Sequence, residues 1–253
     1  MTRLKSLSVQ RWIGTLSSLA ALLVVANLAG VMAKFHWGVA PEHGWVASFD
    51  LDGERNVPSV FSTGLILLCA GLMTVIARIE RGPNRRGWWG LAAIFVFLAA
   101  DELVSLHERL IEPLRAALHT SGLLYFAWLI PYGLAVLVTG ALYLRFLLRL
   151  PGTTRRRVII AGVVYLTGAV GLELIGGAYL ESLGNRHNLP YELLTTLEET
   201  LEMAGMILLA RGLLGHWERL ARRESPFRHQ GHNAARLKVM ASKGTAHISS
   251  SSL

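Results

Sequence analysis

A chain of 253 residues that is 52% hydrophobic and only 17% charged, with mean hydropathy +0.42, is too apolar to read as a soluble globular protein. Its net charge of +8 could suggest nucleic acid, but the basic residues sit in loops and in the tail, where membrane topology explains them, so no nucleic-acid partner is expected. Cys69 is the single cysteine, which excludes an intrachain disulfide and a cysteine-rich metal site.

Six apolar blocks reach the roughly 20 residues that a bilayer-crossing helix needs. The first covers 13–34 and follows Arg3, Lys5 and Arg11. Its apolar run is too long for a signal-peptide core and no small-x-small cleavage site follows, so it is expected to remain as a span. The next loop is acidic, with Glu42, Asp50, Asp52 and Glu54. "FDLDGERN" has the spacing of a calcium loop at Asp50, Asp52 and Gly53, but lacks the further oxygens and the terminal bidentate acid, and reads as a polar turn. The second block, 58–78, holds Cys69 as a small packing residue. Blocks one and two carry no acid and read as scaffold.

The third block, 88–111, contains "AADELVSLHERL", which places Asp101, Glu102, His107 and Glu108 inside an apolar segment. The fourth, 123–148, has Pro131 in its interior and is expected to face the polar core through Tyr125, Trp128 or Tyr132. The fifth, 158–182, contributes Glu173 and Glu181, with Gly176 and Gly177 between them to let a neighbouring helix approach. The sixth, 190–213, contains "TTLEETLEMAGM" and so Glu198, Glu199 and Glu202. From His216 onward the chain carries seven Lys/Arg against two acids, loses apolar periodicity after Pro226 and ends in "SSSSL". Residues 216–253 are therefore expected to be a basic, disordered cytoplasmic tail attracted to anionic lipid, following a transmembrane domain over 1–215.

Arg78, Arg81, Arg85 and Arg86 bracket the loop after block two, and Arg149, Arg155, Arg156 and Arg157 that after block four. The other loops are poorer in arginine and lysine. The expected architecture is an all-α, multi-pass bundle of six transmembrane helices with both termini cytoplasmic, in the cell (inner) membrane.

Acids in hydrocarbon are expensive and mark functional positions. On straight helices Asp101, Glu173 and Glu199 would each lie about 13–15 Å below the outer helix end, at one depth. Asp101, Ser105 and Glu108 would share a stripe about 60° wide, with His107 well off it. Eight acids crowd this region (the trio of block six, Glu173, Glu181, Asp101, Glu102 and Glu108), and only Arg109 and His107 oppose them. Repulsion and burial both disfavour that many ionised carboxylates, so positive charge is expected from outside the chain.

Oxygen-rich ligands suit hard divalent cations, or iron and manganese. The candidate metal-binding set is Asp101, Glu102, His107, Glu108, Glu173, Glu198, Glu199 and Glu202. Di-iron and di-manganese carboxylate bundles use Glu-x-x-His, whereas this chain offers Glu199-x-x-Glu202, so it resembles the general carboxylate-bundle idea and not its motif. Glu198-Glu199 also begins like the Glu-Glu-x-x-x-Arg signature of membrane-embedded CAAX-type endopeptidases, but Met203 occupies the arginine position and paired histidines are missing, which excludes that family. Three uses of the cluster remain open: a metal-binding site, as in a metal-dependent membrane enzyme; a cation or proton transporter; and an accessory structural subunit.

Overall fold

The computed structural model describes the backbone of residues 2–40 and 44–248 and the side chains of residues 9–40 and 44–222. All regular structure among these residues is helical: α1 (Thr2–Trp37), α2 (Gly44–Phe49), α3 (Val57–Ile79), α4 (Asn84–Val104), α5 (Ile111–Leu118), α6 (Leu129–Arg149), α7 (Gly152–Leu166), α8 (Glu173–Ser182) and α9 (Leu189–Ile248). A π-helical segment, Thr167–Leu172, joins α7 to α8. Five helical stretches are long and apolar enough to cross a membrane: Val9–Trp37, Val57–Ile79, Asn84–Val104, Leu129–Arg149 and Gly152–Ser182. The segment of α9 expected as a sixth span is not among them, its apolar run being interrupted by Glu192, Glu198, Glu199 and Glu202. The disorder expected of the tail concerns residues whose side chains, beyond 222, lie outside the description.

α9 is the hub. It packs against α1, α3, α7, the π segment and α8, while α3 pairs with α4. The apolar core fills one half of the bundle with Ile66, Cys69, Met73 and Ile76 of α3, Trp88 of α4, and Met203, Ala210 and Leu213 of α9. Cys69 is fully buried there, the packing role its composition suggests. α7 and α9 approach so closely that a Cβ on Gly205 would lie 2.7–2.8 Å from Tyr165 atoms, and one on Gly168 would lie 2.7 Å from the Glu198 carbonyl. These glycines let the backbones of α7 and the π segment approach α9, while Gly87 and Gly90 of α4 seat Phe146 and Tyr143 of α6. Gly177 instead accommodates the Phe126 ring, and Gly176 makes ordinary contacts with Leu194 and Tyr191.

Two spans end differently from expectation. Ser105 takes the left-handed conformation (φ +52°) and stops α4 at Val104, so the stretch expected to run helically to 111 folds back. Asp101 consequently lies one turn from its helix end rather than deep below it. α6 starts only at Leu129, which puts Pro131 in the first turn, where a missing N–H costs nothing, and no interior bend results.

The α2–α3 loop is held by buried polar contacts. Asn56 caps α3 through a reciprocal pair with Ser59, and its Nδ2 donates to the carbonyls of Ala47 (3.2 Å) and Asp50 (2.6 Å). Asn27, inside α1, accepts from the Leu51 amide at 3.0 Å and donates to Thr196 Oγ1 of α9 at 2.8 Å. Loop, α1 and α9 are thereby locked together.

A candidate cation-binding cavity

A cavity of about 930 Å³ opens between α3, α4, α6, the α7–α8 helix, α9 and the α2–α3 loop. Asp101, Glu102, His107, Glu108, Glu173, Glu198, Glu199 and Glu202 all line it. The structure thus gathers every candidate chosen from sequence, though Glu181 lies outside the lining and accepts from the Gly122 amide. Asp52 and Glu54 join from the loop, so that among the described residues nine carboxylates and no lysine or arginine line the cavity. These two loop acids, read from sequence as part of a polar turn, were missed as site residues. Their signal was the same shortage of countercharge that marked the others.

Each carboxylate has its own setting. Asp101, only 6% exposed, accepts from the His107 amide (3.0 Å) and Tyr132 Oη (2.8 Å), and its second oxygen lies 2.9 Å from His107 Nδ1. His107 reaches Asp101 because the chain turns back at Ser105, not because they share a helix face. Its ring packs against Trp128, with centroids 4.9 Å apart. Burial pulls the imidazole's pKa down, but the hydrogen bond and charge of Asp101, with Glu108 and Glu173 beyond, outweigh it and push the pKa up to about 9.

Trp128 Nε1 donates to Glu173 Oε1 at 3.1 Å, and Glu198, 7% exposed, lines the cavity with it. Glu202 and Tyr165 line it as well. The π segment immediately precedes Glu173, and such insertions re-aim the side chains that follow them. Glu173 is thereby turned towards Trp128 and Glu198.

On the loop, Asp52 faces the open interior of the cavity yet is enclosed by protein. Desolvation, then the charges of Asp50 and Glu173, push its pKa up to about 7. Glu54 Oε2 is buried without a hydrogen-bond partner. Above this layer Lys34 Nζ lies 2.5 Å from Glu192 Oε1, and His187 Nδ1 lies 3.1 Å from the same oxygen. The charge balance drawn from sequence omitted this pair. Lys34 pairs with Glu192, which does not line the cavity, and among the described residues no lysine or arginine lines it beside the nine acids.

Among the described residues no three His, Cys, Asp or Glu side chains form a group able to hold a metal ion. The acids stand instead spread around a large space, Asp101 bonded to His107 and Tyr132 and Glu173 to Trp128. That arrangement can hold protons, or receive a positively charged group wider than a bare ion.

A family model described as "Domain of unknown function (DUF8692)" matches residues 12–217, which include every residue lining the cavity. No curated protein and no solved structure matches the chain.

Proposed function

From the premise that this chain belongs to the DUF8692 family, we propose that it is a six-span membrane protein whose cavity receives a cation through its carboxylates. One observation carries the reading: among the described residues, nine acids and no lysine or arginine line a cavity of about 930 Å³. The sixth span is α9 from Leu189 to about Leu213, roughly 37 Å of helix. Glu198, Glu199 and Glu202 are tolerable in the bilayer because they line the cavity, and Glu192 because Lys34 pairs with it. The arginines after α3 and α6 support cytoplasmic termini, which place the acidic loop and the polar half of the cavity outward.

The hydrogen bonds from Tyr132 to Asp101 and from Trp128 to Glu173 occupy ligating oxygens and favour an organic cation over a tightly ligated metal. A hard divalent, iron or manganese ion is the competing occupant, and the same experiment separates the two. Purified protein is assayed for bound metal and titrated calorimetrically with Mn²⁺ and with tetramethylammonium. Binding of either should weaken at least tenfold in Glu173→Gln, Glu198→Gln and Asp101→Asn, but not in Glu112→Gln, whose carboxylate is 80% exposed on α5. One or two metal ions held per chain assign the site to metal, and tetramethylammonium binding without metal assigns it to an organic cation. No binding by either, or equal losses in Glu112→Gln, would defeat the proposal.

A further inference from the structure

The cavity is two-sided. Its carboxylates occupy the end beneath the α2–α3 loop, while Leu91, Phe95, Leu98, Val158, Met206 and Leu209 line an apolar chamber running on towards the core. At about 930 Å³ it lies near the top of the range for sites that enclose a whole small-molecule ligand, far beyond the needs of an ion and its first waters. A relay for protons or a metal site has no use for that apolar half.

Access also points to the bilayer. Phe97 of α4, Val136 of α6 and Leu166 of α7 line the cavity and are 51%, 39% and 37% exposed, so the wall that α6 forms with α4 and α7 is apolar and incompletely packed. α6 packs only lightly, chiefly against α4, whereas the loop side is tied down through Asn27 and Asn56.

Resting on the cation-receiving reading, we propose that the occupant is a cationic amphiphile: an amine or quaternary ammonium head bearing a hydrocarbon chain, admitted sideways from the bilayer beside α6. The head lies among Glu173, Glu198, Glu199 and Glu202. Trp128 and Tyr165 offer aromatic faces to a quaternary nitrogen, a pairing that desolvation strengthens. The chain fills the chamber between α4, α7 and α9.

The probes are dodecyltrimethylammonium, tetramethylammonium and dodecanol, titrated calorimetrically into the full chain in lipid nanodiscs, with empty nanodiscs as the blank. Dodecyltrimethylammonium should bind saturably, at least tenfold more tightly than tetramethylammonium. Dodecanol, which partitions into the same bilayer without charge, should show no saturable site. Val158→Trp and Leu209→Trp, which fill the chamber, should weaken the long-chain probe and spare tetramethylammonium. Should either variant fail to fold, the chain-length comparison in the unmodified protein decides alone. Equal affinity for the two ammonium probes, or saturable binding of dodecanol, overturns the amphiphile while leaving the cation reading standing. Loss of all acid-dependent binding removes both.

Discussion

Replacing His107 with Gln removes a charge from the Asp101 pair while keeping a polar side chain of similar reach. The imidazole pKa rises from 6.5 to about 9 on folding, and the side chain is 22% exposed. A raised folded-state pKa contributes stability that is fully present below the unfolded value and is lost as pH climbs through the folded one. At about 1.36 kcal/mol per pKa unit, the charged pair contributes roughly 3 kcal/mol below pH 6.5. The same relation leaves about 2 kcal/mol near pH 7.5 and only a few tenths near pH 9.5. Asp101 keeps the His107 amide and Tyr132 in the variant, so the folded arrangement survives. Thermal melts of both proteins in the same detergent, across that pH range, measure the difference. Titrating groups beyond the reach of the His107 charge are common to both proteins and cancel in it. The stability gap should be widest in acid and close through pH 9. A gap that stays constant with pH would show that His107 packs without carrying charge.

A reporter fused after His187 should appear outside the cell and one fused after Arg157 inside, and the reverse at either position would sink the six-span model. Lys34→Met should destabilise the protein by about 3 kcal/mol in chemical or thermal unfolding, because it strands a buried Glu192 beside the half-exposed His187. Adding Glu192→Gln to that variant should recover most of the loss, and no recovery would mean that the pair does not act as a unit.

The helical class and the membrane-compatible spans are legible in the sequence because bilayer physics is one-dimensional: a run of apolar residues is read directly along the chain. The acids were legible for a related reason. A carboxylate in such a run must turn away from lipid, so acids on three separate segments had little choice but a shared interior. Backbone conformation was not legible in the same way. Ser105 has no sequence mark of a helix stop, being neither Gly nor Asn, yet it ends α4 and brings His107 round to Asp101. "TGAVGL" shows two glycines but not that they form a π turn. Long-range pairs such as Asn27 with Thr196, or Lys34 with Glu192, lie 169 and 158 residues apart and become neighbours only through packing. Polar residues within the first span were the available hint, and counting acids alone passed over them.

The π turn has a mechanical consequence. Over the same length of axis a π segment holds about one residue more than an α-helix, so relaxing it to α-geometry would turn everything after it by about 100°. Glu173, bonded to Trp128, and Glu181, bonded to the Gly122 amide, both ride on the ten residues of α8. One link reaches the floor of the acidic layer and the other secures the segment leading into α6. A turn of α8 cannot break one and keep the other. The helix therefore works as a single latch: turning it would release the Glu173 bond to Trp128 and the Glu181 bond to Gly122 together, both on the segment leading into α6.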